Sequence, residues 1–295
     1  MLDKSEPTIA EAHRAEARVW FESLRDRISA EIEKLEREAP ADLFPRDAKQ
    51  FAYKPWTRAT GSGGGVGGFL SDGRLFEKCG IHTSSANGML TPEMAKTLPG
   101  DGVQLEYVST SISLIIHPRS PRVPTVHMNT RFLSTAQGWF GGGADLTPLL
   151  ADQRRQDAPD AAEFHAAMRA ACDAHDSAYY DRFKEWADRY FYLPHRNTAR
   201  GVGGIFYDHL NTGNFARDFS FTRDVGEALL DVYPRIVRRR MVEPWTDAER
   251  SEQLACRGLY VEFNLLYDKG TMFGLQTGGN IETILSSMPP MVSWP

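Results

Sequence analysis

The chain is predicted to fold as an α+β protein built on a mostly antiparallel sheet, and three observations carry that prediction. Period-two runs rich in β-branched residues fill its centre, at 103–117 and 125–133. Stripes of helical period lie on either side of that centre. The two kinds of pattern come in separate runs instead of strict βαβ alternation. With 295 residues, 41% of them hydrophobic, the chain can bury a sizeable core. No repeat or linker-like tract divides it, so 1–295 is read as one domain.

In chain order, Thr8-Ile9-Ala10-Glu11 has the form of a capping box. Phe21, Leu24, Ile28, Ile32 and Leu35 then recur at helical spacing up to Pro40, giving an N-terminal helix within 1–40. Residues 40–60 read as irregular, and the glycine run 61–68 as a flexible loop, a close backbone contact or a mobile cover. The strands at 103–117 and 125–133 are separated by Pro118, Pro121 and Pro124. The segment 139–145, with three successive glycines, reads as a turn. One long helix is expected over 160–190, with Phe164, Met168, Ala171, His175, Tyr179 and Phe183 on its stripe. A short strand follows at 205–207, and Val225, Leu229, Val232 and Ile236 mark another helix. A second capping box, Thr246-Asp247-Ala248-Glu249, opens a short helix ending before Gly258. The remainder reads as a strand at 259–267, a hairpin turn at 268–271 and a partner strand at 272–276.

A net charge of −5 argues against a broad nucleic-acid or membrane-surface footprint, but leaves room for a few arginines around an anionic ligand. Cys79, Cys172 and Cys256 are too sparse for a disulfide framework and lack zinc-ribbon spacing. No run approaches the ~18 apolar residues of a membrane span, and the charged N-terminus lacks an apolar signal core. The expected location is the cytoplasm. Gly63, Gly65 and Gly68 form a GxGxxG, but no apolar strand precedes it and no helix opens after it. A dinucleotide is therefore not expected.

The candidate site comes from strand periodicity. Thr125, His127, Asn129 and Arg131 share one face of their strand, and Val126, Met128, Thr130 and Phe132 the other. In the preceding strand Ser111, Ser113, Ile115 and His117 share a face. A hairpin placing Ser113 beside Arg131 would place His117 beside His127; registers two residues either way keep the same faces. Solvated faces are usually rich in Lys, Glu and Thr. Two histidines, an asparagine, an arginine and two serines without Lys or Glu look like a site instead. A second group of donors is His195-Arg196-Asn197 with Arg200. His117, His127, His165 and His195 are together enough for a metal cluster, although they lack the short spacings of zinc sites. His82, His175 and His209 are read as structural.

Long stretches also resemble the oxygen-dependent coproporphyrinogen oxidases. The matching segments are Ser113-Leu114-Ile115-Ile116-His117-Pro118, 123–132, Trp139-Phe140-Gly141-Gly142-Gly143-Ala144-Asp145-Leu146-Thr147-Pro148, 190–197, 200–208, and Tyr260-Val261-Glu262-Phe263-Asn264 onward to Met288-Pro289-Pro290. The resemblance implies that family's fold, a large antiparallel sheet flanked on both faces by helices. It implies a homodimer using 260–295, and oxidative decarboxylation of two propionates of coproporphyrinogen III with dioxygen and no organic cofactor. By motif, Ser113, Asn129, Thr130 and Arg131 would contact substrate, joined by Lys269 and Gly278-Gly279-Asn280. His127 would move protons and Asp268 would approach the pyrrole nitrogens. His117, His127, His165 and His195 match residues proposed as divalent-metal ligands.

The chain departs from the family pattern at three places. Lys269 and Asn280 stand where the family usually has arginine: Lys269 keeps the charge but loses the planar fork, and at Asn280 a carboxylate clamp is missing, which Arg196 or Arg200 is expected to supply. Ser84-Ser85-Ala86-Asn87-Gly88 lacks a histidine common before that glycine. Two other readings remain open at this level: a histidine-based metallohydrolase, and a tetrapyrrole-binding protein that kept the fold and lost the chemistry.

Overall fold

A computed structural model describes residues 8–58, 62–96, 98–99, 103, 105–276 and 278–294. Its first helix, α1 (Ile9–Glu38), opens on the expected capping box and buries Phe21, Leu24, Ile28, Ile32 and Leu35. Then come β1 (Ala52–Thr57), β2 (Ser62–Ser71), β3 (Phe76–Met89), the single turn α2 (Pro92–Ala95), β4 (Glu106–Pro118), β5 (Thr125–Ser134) and β6 (Gly138–Thr147). After the sheet's centre lie α3 (Pro159–Asp173), α4 (Tyr179–Tyr190), β7 (Tyr192–Leu193), β8 (Thr198–Ala199) and β9 (Gly203–Leu210). The chain closes with α5 (Phe215–Arg240), α6 (Asp247–Leu266), α7 (Lys269–Gln276) and α8 (Ile281–Leu285).

Seven strands form one sheet in the order β1-β2-β3-β4-β5-β6-β9, every pair antiparallel. One face is apolar. Ile112, Leu114, Ile116, Val126, Met128, Phe132 and Ile205 join a single buried cluster with residues of α1, α3 and α5. The opposite face carries Lys78, His82, Ser113, His127, Asn129, Arg131, Asp145 and Asp208, as the strand registers require. The α6–α8 region covers part of it: Tyr260 packs edge-on to His117, and Ser286 bonds His82.

Five expectations about local structure fail. Residues 52–57, inside the stretch read as irregular, form β1 because the β2 backbone pairs with them. The glycine run is strand β2, paired on both sides from Ser62; Gly61 lies outside the described residues. The run 139–145 is likewise inside β6. Glycines there admit neighbouring groups that a side chain would exclude: a Cβ on Gly65 would lie 2.1 Å from the Thr83 carbonyl oxygen. The helix expected over 160–190 is two helices, because the Asp176 carboxylate accepts the Ala178 amide at 2.9 Å and stops continuation.

Finally, 259–276 is helical, not a hairpin. Besides Gly258 and Phe263, α6 buries a stripe of six at helical spacing, Gln253, Cys256, Arg257, Tyr260, Val261 and Asn264. Three of those six are polar, so the period is invisible to a hydrophobicity count. They are buried because they have partners: Gln253 Nε2 and Arg257 Nη2 donate to the Pro118 carbonyl at 3.1 and 2.8 Å, and Arg257 pairs with Glu77.

Candidate active site

The pairing of β4 with β5 places Ser113 opposite Asn129 and Ile115 opposite His127. The register is thus two residues from the one that would join Ser113 to Arg131, and His117 is not beside His127. The shared face survives this shift, because a slip of two preserves side-chain parity. Ser113 lies between His82 of β3 and Asn129 of β5.

His127 is the centre of the most developed polar network. Its Nδ1 lies 2.8 Å from Asp145 Oδ1, and the other oxygen of Asp145 pairs with Arg200. Asp145 and Arg200 are both buried. The Arg200 guanidinium is stacked among three rings, at 4.2 Å from Phe191, 4.5 Å from Tyr260 and 4.8 Å from Phe263. Burial would raise the Asp145 carboxyl, but Arg200 and His127 outweigh it and hold the group below its usual range. Strand periodicity does not pick out Asp145, because the glycines of β6 give 139–145 the composition of a turn.

Arg131 extends over β6. Its Nη2 lies 2.7 Å from Asp208 Oδ2, and its Nη1 donates to Asn129 Oδ1 at 3.2 Å. Asn129 in turn donates to the Ile112 carbonyl at 3.3 Å. Thr130, by contrast, points into the apolar face and is fully buried, so its side chain is separated from Asn129 and Arg131. Any contact it makes with a ligand on the polar face falls to its backbone.

Asp268 reaches the network from the end of α6. Its Oδ1 accepts the Tyr190 hydroxyl at 2.8 Å; its Oδ2 accepts the Thr271 amide and hydroxyl at 2.8 and 2.7 Å. Burial opposes its charge, but these donors, with His127 nearby, hold the carboxyl below its ordinary value. Tyr190 stacks on Phe206 at 4.4 Å, and burial together with Asp268 pushes its phenol up, keeping it a donor. Lys269 is exposed at the start of α7. Gly278 adopts φ +72°, which favours glycine, and the Gly279 amide donates to the Gly274 carbonyl at 2.8 Å. Asn280 caps α8, accepting the Thr283 amide at 3.0 Å.

The clamp expected from Arg196 or Arg200 is not available from either. Arg200 is committed to Asp145. Arg196 forks onto Glu262 at 2.9 and 2.6 Å, which with His195 and Trp294 holds Glu262 at about 2.

The four histidines matched to metal ligands do not converge. His117 Nε2 bonds the Ser287 carbonyl at 2.9 Å; His165 bonds the Val202 carbonyl and Tyr180; His195 bonds Glu262 and Tyr267. Among the described residues no group of three or more His, Cys, Asp or Glu side chains is placed to hold a metal ion. His117, His165 and His195 thus each have their own protein partners, apart from the His127–Asp145 pair.

His82, His117 and Lys78 instead secure the segment after α8. His82 Nε2 meets Ser286 Oγ at 2.5 Å, and Lys78 Nζ donates to the Met288 carbonyl at 2.7 Å, flanking the His117–Ser287 contact. Burial, reinforced by neighbouring cations, lowers His82 to about 4 and His117 to about 3.

A family model described as coproporphyrinogen III oxidase matches residues 16–295. Among curated proteins, the chain is 50% identical over 275 residues to an oxygen-dependent coproporphyrinogen-III oxidase of Rickettsia bellii (strain RML369-C), covering 93% of this chain and 96% of the relative. Relatives of the same description in Rickettsia conorii and Rickettsia akari are each 49% identical over the same coverage.

Proposed function

The chain belongs to the coproporphyrinogen III oxidase family, and from that premise we propose that it converts coproporphyrinogen III to protoporphyrinogen IX in haem biosynthesis. It is an oxidoreductase that turns two propionates into vinyl groups. Each propionate gives up carbon dioxide, one proton and two electrons; dioxygen accepts the electrons. The observation that carries this reading is one sheet face on which His127, Asn129 and Arg131 stand together, with the Asp268 carboxylate near enough to His127 for the two to interact electrostatically.

The roles follow from chemistry. Arg131 offers a planar guanidinium to a substrate carboxylate. The Asp268 carboxylate has about four lone-pair sites and gives three of them to Tyr190 and Thr271. The remaining site suits a pyrrole N–H, and a carboxylate there stabilises positive charge that develops as electrons leave the ring. Asp145 occupies the Nδ1 edge of His127, so proton exchange falls to Nε2. Ser113 and Lys269 supply further polar contacts, as do the backbone groups of Thr130, Gly278 and Gly279; Asn280 shapes the loop that presents them. No step requires an organic cofactor.

We also read the chain as one domain that pairs with a second copy through 260–295. Leu265, Leu266, Met272, Leu275, Ile281 and Leu285 leave much apolar area exposed there, which supports that reading. No helix among the described residues is long and apolar enough to cross a membrane, and a cytoplasmic location is proposed. The metallohydrolase alternative loses its basis with the dispersed histidines.

The deciding assay supplies coproporphyrinogen III and follows protoporphyrin fluorescence after oxidation, in air and under nitrogen. Product in air alone is expected. Absence of product in air rejects the function, and equal product under nitrogen rejects dioxygen as acceptor.

A further inference from the structure

The geometry points to Asp208 as the residue that positions Arg131 for its substrate carboxylate, through a bulge in β9 that exists to deliver it. The inference rests on the reading of Arg131 as a substrate ligand.

Parity makes the bulge necessary. Residues 208 and 210 of a regular strand would face the same way. Here Asp208 lies on the polar face against Arg131, whereas Leu210 joins the apolar core. The register accounts for the switch: Gly142 pairs with Tyr207 but Phe140 pairs with Leu210, so two residues of β9, Asp208 and His209, oppose Gly141. His209 absorbs the extra residue at φ +54°, in the left-handed region that few residues other than glycine occupy and that histidine enters more readily than most. Strain of that sort persists where the surroundings over-determine it.

The surroundings are specific to the ion pair. To join β5 to β9, Arg131 must cross β6, and it does so above Gly141, its register partner. A Cβ on Gly141 would lie 2.5 Å from Asp208 Oδ1 and 2.9 Å from Arg131 Nη2, so a side chain there would push these two charged ends away from their present contact. The carboxylate is itself fixed, because Oδ1 accepts the His209 amide of the bulge at 2.9 Å while Oδ2 takes Arg131. A carboxylate waiting to be displaced by substrate would not need that second anchor. Asn129 fixes Nη1, so two amino groups of the guanidinium are held and its remaining N–H donors have a defined direction.

Steady-state kinetics and direct substrate binding test the proposal, with thermal melting to verify folding. Asp208→Asn keeps the acceptor for the bulge amide but loses the charge. It is expected to raise KM and Kd for coproporphyrinogen III roughly five- to tenfold, the scale of one charge-assisted contact, with kcat changed far less. Gly141→Ala, which leaves both charges in place and obstructs only their contact, is expected to do the same. In an Arg131→Ala background, Asp208→Asn should add nothing, because it acts through the missing guanidinium. If Arg131→Ala weakens binding while Asp208→Asn and Gly141→Ala leave it unchanged or tighten it, the positioning role is overturned and Arg131 stands as a ligand. If Arg131→Ala itself leaves binding unchanged, the underlying reading of Arg131 fails, and this inference with it.

Discussion

Asp145 divides its carboxylate between two partners, giving one oxygen to His127 Nδ1 at 2.8 Å and the other to the buried, ring-stacked Arg200. The imidazole thereby acquires a fixed tautomer and orientation without contributing to the core. A charge kept this deep in the protein is tolerated only because both members are present.

Replacing His127 with alanine is therefore expected to lower turnover by roughly 10²–10⁴-fold, the usual worth of a positioned acid or base. Substrate binding should change far less. Single-turnover measurements with the reduced tetrapyrrole check this, and undiminished turnover would remove His127 from the proton path.

Asp145→Asn should damage stability as well as rate. It leaves Arg200 charged and unpaired among Phe191, Tyr260 and Phe263, and losing one partner of a buried pair costs about 3–5 kcal/mol. Urea unfolding measures the loss. A variant as stable as the parent would mean that the aromatic rings alone can hold the guanidinium.

The buried histidines predict an acid limb in the stability profile. His82 and His117 are held neutral, at about 4 and about 3, below an unfolded value near 6.5. Below 6.5 the unfolded chain binds protons that the folded protein refuses, so stability falls with pH through that window. The contribution is fully present above 6.5 and is lost as pH drops towards the folded values. Changing both residues to asparagine should flatten denaturation midpoints between pH 6.5 and 4; an unaltered slope would assign the acid limb to other groups.

Lys269→Arg tests the departure at the start of α7. The exposed lysine offers a point charge, whereas a guanidinium fork can bind a carboxylate through two parallel bonds. KM is expected to fall about fivefold, near 1 kcal/mol, with kcat nearly unchanged. Equal KM values would show that position 269 does not contact the carboxylate.

The polar face was legible because strand parity is a local property. His127, Asn129 and Arg131 had to point the same way whatever their neighbours, and Thr130 had to point away. The resemblance placed Thr130 with the ligands because motif membership does not distinguish a side chain from its backbone. Helices with apolar stripes, such as α1 and α5, were equally plain. The region after Gly258 was misread because α6 buries Gln253, Arg257 and Asn264, whose partners at Pro118, Glu77 and Arg200 are distant in sequence.

The antiparallel architecture, the starts of α1 and α6 and the chemistry-bearing face could all be read from the chain alone, since each rests on periods and caps spanning a few residues. Which partner each charge keeps was settled by the packing of distant segments. It committed Arg200 to Asp145 and Arg196 to Glu262, separated the four histidines, and set Asp208 against Arg131 through one extra residue in β9. Those outcomes depend on strand register and on burial, where a polar group is stable only beside a partner that no local pattern names.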